Sequence, residues 1–219
     1  MKIGIVGGTG PEGRGLGLQL SLAGHDVIIG SRDEGRAVET ARELADTCGD
    51  DEASVRFSGA TNESAAAEAE VVFLTVPYSG MSAVLRTISR QLRGKICVNT
   101  VAPLEFVGGQ ARGITPPAGS AAEEAEREVP EVRWVAAFHT VPARSMQRPG
   151  ARLNTDTLVC SDDPEALKTI IELADQVPGL RGVNAGALEN ARYLEGATAL
   201  LININRIYKA HGSLKVIGI

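Results

Sequence analysis

Residues 7–16, GGTGPEGRGL, follow the apolar run KIGIV and carry glycines at the spacing of an anion cradle. Gly8, Gly10 and Gly13 fit G-x-G-x-x-G, and Gly7, Gly10 and Gly13 fit G-x-x-G-x-x-G. Glycine lets the backbone turn tightly and approach a pyrophosphate, whose charge then rests on the N-terminus of the following helix. The alternative is a glycine-rich turn that serves only close helix–sheet packing. The next apolar run, DVIIG (26–30), ends in Ser31 and Arg32, with Arg36 four residues on. An NAD site wants Asp or Glu there, accepting from the ribose 2′-hydroxyl. A hydroxyl and two guanidinium groups instead match a 2′-phosphate, because guanidinium forks pair with phosphate oxygens. The expected carrier is NADP(H); two solvated arginines on a helix surface are the alternative. Asp33 and Glu34 are expected to favour the helix N-terminus as surface charges.

His139 stands at the end of RWVAAFHT (133–140), at the strand edge where open α/β sheets bind ligands. It either hydrogen-bonds a ring carbonyl or a carboxamide, or is satisfied by backbone and fixes the turn into Val141-Pro142. His25 is expected to be exposed in a turn, and His211 to lie near the end of a long helix, where the dipole suits it. No Ser/His/Asp set, paired carboxylates or metal-ligand spacing competes with these groups. Cys48, Cys97 and Cys160 are scattered singly, as reduced thiols would be.

Short apolar runs at 2–6, 26–30, 55–59, 70–76, 95–101, 133–140 and 156–161 read as strands, mostly apolar on both faces. Helices are expected at about 11–23, 34–47, 62–68, 80–93, 120–129 and 164–177. Ser120 and Glu123 form a capping-box pattern, and Asp163-Pro164 an N-cap followed by proline. Gly49 and Gly94 stand where helix C-caps would. This alternation predicts an α/β, Rossmann-like, doubly wound and mostly parallel sheet with a small helical C-terminal part. The expected division is 1–163 for dinucleotide binding and 164–219 for the C-terminal part. Residues 102–118, rich in Gly and Pro, read as a long loop. Residues 187–211 read as one helix of about 25 residues, roughly 37 Å long. Its apolar middle, ATALLINI, must be covered, and a second subunit is the simplest cover.

The formal net charge is −5 and no Lys/Arg run stands out, which argues against nucleic acid. No signal peptide or membrane-spanning run is apparent, so a cytoplasmic protein without membrane contact is expected.

The segments KIGIVGGTGPEGRGLGLQL, VIIGSRDEGR, FLTVPYS, FHTVPA and ARYLEGATALLININ together resemble the NADPH-dependent coenzyme F420 reductase family, in order and over essentially the whole chain. The resemblance implies hydride transfer between nicotinamide C4 and deazaflavin C5, with NADP(H) and coenzyme F420 as cofactors and a homodimer as assembly. Carried over by position, Thr9, Gly10, Pro11 and Glu12 would border the pyrophosphate. Ser31, Arg32 and Arg36 would hold the 2′-phosphate. Tyr78, Ser82 and Ala143 would line the nucleotide cleft, and His139, Thr140, Val141 and Pro142 would underlie the stacked rings. Arg192 and Thr198 would face the deazaflavin, although six residues of helix set them about 120° apart. Glu12 departs from the family pattern, since an acid beside a pyrophosphate is unhelpful unless it points away. An apolar slot is expected between Val141-Pro142 and the long helix near Arg192, with Val141 setting the ring spacing. The competing readings are another NADP-dependent reductase (imine, hydroxyacid or flavin) and a non-enzymatic NADP-sensing module.

Overall fold

A computed structural model of the chain describes residues 1–48 and 56–219. The expected cap at Gly49 and the start of the 55–59 strand at Val55 lie outside the described residues. Six parallel strands form the central sheet, in the order β3-β2-β1-β4-β5-β8. They are β1 (Lys2–Val6), β2 (Asp26–Ser31), β3 (Phe57–Thr61), β4 (Val71–Leu74), β5 (Ile96–Asn99) and β8 (Arg133–Ala136). Side chains alternate across each strand. Ile3, Ile5, Phe73, Val98 and Val135 pack against α1 (Pro11–Leu22), α2 (Glu34–Cys48) and α7 (Pro164–Asp175). Val6, Leu74, Cys97 and Trp134 face the opposite layer: α3 (Asn62–Glu68), α4 (Tyr78–Leu92), α5 (Ala121–Glu128) and α8 (Ala191–Tyr208). Helices on both faces explain why these strands are apolar throughout. The chain winds outward from β1 to β3, then crosses to β4 and winds the other way. The crevice at the carboxyl ends of β1 and β4 is therefore the switch point where such sheets bind ligands.

The local end signals act as their residue types predict. Ser120 Oγ accepts from Glu123 N at 3.1 Å, and Asp163 Oδ1 from Ala166 N at 2.9 Å. Gly94 ends α4 with φ 72°.

Several expectations are corrected. The 102–118 stretch contains a hairpin, β6 (Leu104–Val107) and β7 (Gln110–Gly113). Its turn is Gly108-Gly109, both at positive φ, as a two-residue hairpin turn requires. The long helix is shorter than 187–211: a 3-10 turn at Leu188–Asn190 precedes α8, which stops at Tyr208. Lys209 turns left-handed there, and Asn205 ties its side chain to Gly212, so His211 lies beyond the helix. The run 133–140 leaves the sheet at Ala136, because Phe138 takes φ 68° and turns the chain toward a short helix, α6 (Ala143–Met146). β9 (Thr155–Val159) pairs with β10 (Leu180–Asn184) in a separate parallel pair, joined to the main sheet by a bridge between Ala136 and Cys160. His25 is buried, with Nε2 3.0 Å from Gln176 Oε1. Among the described residues no helix is long and apolar enough to cross a membrane.

Candidate functional site

The loop from β1 to α1 is built by its glycines. Gly8 N–H donates to Ile5 O at 3.1 Å and Gly30 O at 2.9 Å, which folds the loop onto β2. A Cβ on Gly13 would sit 2.5 Å from Gly8 Cα, so α1 starts this close only because side chains are absent. Gly10 differs: its Cβ would meet nothing nearer than Gly7 O at 3.7 Å. Packing does not demand a glycine there, whereas close approach of a ligand's phosphates does. Asn62 Oδ1 holds the Gly7 N–H at 3.1 Å, a support the sequence pattern did not reveal. Thr9 and Pro11 border this loop.

At the end of β2, Ser31 Oγ accepts from Asp33 N at 3.2 Å, and Asp33 Oδ1 accepts from Arg36 N at 3.1 Å. Asp33 thus serves the helix start, as expected. Arg32 and Arg36 are exposed, and among the described residues neither has an ion-pair partner. Arg14, by contrast, is taken up by Glu43 at 2.6 Å. Two uncommitted guanidinium groups beside a phosphate-sized loop suit a 2′-phosphate.

The segment after β8 closes the site. Phe138 is buried, its ring stands edge-on to Phe73 at 5.5 Å, and its N–H donates to Thr157 Oγ1 at 2.8 Å. These contacts hold a left-handed turn that a bulky residue rarely adopts. The next residue, His139, is 9% exposed, and neither ring nitrogen makes a hydrogen bond of good geometry, although the Val101 backbone lies close to the ring. Burial pushes the ring down to about 4, only partly offset by the Val101 backbone nearby, so it is neutral at neutral pH. A buried imidazole so poorly satisfied fits a ligand that brings its own polar edge. Its carbonyl oxygen lies 3.1 Å from Thr198 Oγ1, which joins α8 to this turn. Val141 is 4% exposed and packs in the α1-side core, while Ala143 opens α6.

A second concavity of about 420 Å³ lies between the β6–β7 hairpin, the following loop and α8. Arg192, Tyr193, Glu195 and Gly196 line it. Arg192 Nη2 donates to Glu123 Oε1 at 2.8 Å and Oε2 at 3.1 Å. Glu195 is buried, and its carboxylate accepts from Ala121 N at 3.0 Å and Ala122 N at 3.2 Å. Burial pushes Glu195 up to about 7 against the pull of those donors. It was missed as a candidate, yet an acid inside the apolar stretch of α8 was the available signal.

The structure therefore brings the loop, Ser31, Arg32, Arg36 and His139 to the carboxyl edge of one sheet. Val141 packs in the α1-side core, while Arg192 lines the concavity beside α8. Tyr78 and Ser82 turn their hydroxyls to α5, onto Glu124 at 2.8 Å and Glu128 at 2.9 Å. Burial, then the Glu124 contact, pushes the Tyr78 hydroxyl up to about 12.

Comparison with known proteins gives the chain its relatives. Residues 2–103 match the family model described as NADP oxidoreductase, coenzyme F420-dependent. An F420-dependent NADP reductase of Methanothermobacter thermautotrophicus is 43% identical over 94% of this chain and 89% of its own. That of Methanocaldococcus jannaschii is 36% identical over 97% and 96%. A crystal structure from Arthrobacter sp. fb24, described as a candidate F420-dependent NADP reductase, covers 100% of both chains with TM-score 0.84 and 25% identity. An imine reductase from Bacillus cereus shares only the fold, at 17% identity, TM-score 0.61 and 60% of its chain. The chain belongs to the F420-dependent NADP reductase family.

Proposed function

We propose that the protein transfers a hydride between NADP(H) and the deazaflavin coenzyme F420. Bound together, the two carriers supply the chemistry between nicotinamide C4 and deazaflavin C5, and the protein supplies position and dryness. The Gly8–Gly13 backbone and the N-terminus of α1 hold the diphosphate, with Thr9 and Pro11 at its border. Ser31, Arg32 and Arg36 hold the 2′-phosphate. His139, neutral and poorly satisfied, hydrogen-bonds a carboxamide or ring carbonyl, with Thr140, Val141, Pro142 and Ala143 as its wall. Val76-Pro77 and Val141-Pro142 bias the backbone to extended turns and remove N–H donors, which keeps the ring site dry.

Arg192 meets the anionic part of F420. Glu123 engages only its Nη2, so Nε and Nη1 remain as donors. Thr198 acts through the His139 carbonyl rather than on the ring. Tyr78 and Ser82 line the cleft by their carbon atoms, since their hydroxyls are committed to α5. In this reading residues 1–163 bind the dinucleotide and 164–219 complete the deazaflavin side.

The same C-terminal part makes a homodimer. Tyr193, Leu200 and Ile207, spaced by seven, are 70%, 60% and 72% exposed and form one stripe along α8. Phe106 and Val107 on the hairpin extend that apolar surface, and a second copy covers it. A cytoplasmic setting follows from the two soluble carriers.

The observation that carries the proposal is the near full-length likeness to F420-dependent NADP reductases, joined to free Arg32 and Arg36 beside the phosphate loop. Mixing protein, NADPH and F420 tests it, because reduction abolishes the visible band of F420; FMN and FAD in parallel test the flavin alternative.

A further inference from the structure

Glu12 lies in the first turn of α1, and the helix period fixes where it points. Gln19 is seven residues on, nearly two full turns, so the two share a face. Gln19 Nε2 donates to Met146 O at 2.6 Å. Gly15 also faces α6: its Cβ would fall 2.8 Å from that of Met146. Glu12 therefore points into the wedge between the phosphate loop and the start of α6. The residue as a whole is only partly buried, but its Oε1 is fully buried and has no hydrogen-bond partner. His139, across the same edge, leaves both ring nitrogens without a hydrogen bond of good geometry. Three of the four such buried atoms among the described residues thus belong to two residues at the dinucleotide cleft.

Burial pushes the Glu12 carboxyl up to about 8, with no charged neighbour contributing. The charged or titratable groups on α1 and around α6 are Arg14, His139, Arg144 and Arg148, and α2, on another side of α1, carries Glu34, Arg36, Glu39, Arg42, Glu43 and Asp46. Arg14 is turned onto Glu43, Arg144 and Arg148 are exposed, and His139 is neutral. A diphosphate on the α1 N-terminus brings negative charge to this same turn. An ionised carboxylate there repels it, whereas a protonated one has a hydrogen bond to give.

We propose that Glu12 takes part in NADP(H) binding as a neutral carboxylic acid that donates to the diphosphate, and that its ionisation releases the cofactor as pH rises. This inference rests on the NADP(H) reading above. It makes cofactor affinity, and not only turnover, depend on pH in the mildly alkaline range.

The test is the dissociation constant of NADP⁺ for the full chain, by calorimetry at constant ionic strength from about pH 7 to 9.5, where the 2′-phosphate is already doubly ionised. One linked proton allows at most about tenfold per pH unit. The wild type should lose at least about fivefold in affinity across that range, while Glu12→Gln stays flat within about twofold. Parallel profiles for the two proteins would overturn the proposal. Stability without cofactor gives a second readout. The folded carboxyl titrates above its unfolded value, so stability falls as pH rises from about 4.5 to 8. Glu12→Gln escapes that loss and should melt higher than wild type at pH 8.5; an equal or lower Tm sinks the buried-acid premise. No NADP⁺ binding by the wild type at pH 7 would instead refute the NADP(H) reading itself.

Discussion

Thr198 Oγ1 lies 3.1 Å from the carbonyl oxygen of His139 and 3.0 Å from that of Leu194. Its single proton serves one carbonyl at a time, so α8 holds the turn after β8 through one shared hydrogen bond. The C-terminal helix and the dinucleotide edge are thereby mechanically joined. Thr198→Val, close in shape, should cost about 0.5–1.5 kcal/mol of stability. It should also slow single-turnover hydride transfer more than it weakens NADPH binding. A variant with unchanged rate and lowered Tm would reduce Thr198 to packing.

Cofactor choice should follow the two free arginines. Losing a charge-assisted phosphate contact at Arg32→Ala should cut the NADPH-over-NADH preference roughly 10- to 100-fold. Arg36→Ala should act in the same direction. An unchanged NADPH:NADH affinity ratio in both variants contradicts the 2′-phosphate assignment.

The fold was legible where local rules act alone. β1, β2, α1 and α7 follow from apolar runs, a glycine loop and the Asp163-Pro164 start. The hairpin at 104–113 was hidden because Gly and Pro around it suggested a loop, although Val107-Gly108-Gly109-Gln110 carries a two-residue turn signal. The early end of β8 was not legible at all. Phe138 is a poor choice for a left-handed turn, and only tertiary contacts with Phe73 and Thr157 make it one. The site shows the same division. Ser31, Arg32 and Arg36 are neighbours in sequence, so their grouping was readable. Glu195 meets the N-terminus of α5 across 74 residues, and Arg192 meets Glu123 across 69, which no local pattern specifies.

Arg192 is read as an F420 contact and not as a nucleotide contact. Arg192→Ala should weaken F420 binding by roughly 10-fold or more while leaving the NADPH dissociation constant within about twofold. Val141→Gly, in the opposite core, should lower Tm through lost packing. Equal F420 affinity in Arg192→Ala and wild type would remove this groove from the site.

The neutral ring of His139 sets a pH signature. Its folded value lies below its unfolded one, so the unfolded chain binds the extra proton between about pH 4 and 6.5. Stability is complete above about 6.5 and falls below it, by up to about 3 kcal/mol from this group. Glu12 and Glu195, both shifted upward by burial, act in the opposite sense over part of this window. The measurement is therefore a difference: His139→Gln should lose less stability than wild type between pH 6.5 and 4.5 in denaturant titrations. Identical losses would mean that the ring is not buried neutral.

The α8 stripe should disperse when charged. Leu200→Glu with Ile207→Glu should halve the light-scattering mass at micromolar concentration without lowering Tm by more than the loss of subunit contacts explains. A wild-type mass equal to one chain would rule the dimer out.

Hydride transfer between the two carriers is the central claim, and one anaerobic stopped-flow experiment tests it directly. NADPH deuterated at C4 on the transferred face is mixed with F420 and the protein. The visible absorbance of F420 should vanish within a single turnover, more slowly than with unlabelled NADPH, and deuterium should appear at C5 of the reduced deazaflavin. Persistence of the F420 band while FMN or FAD is reduced under the same conditions would contradict the account.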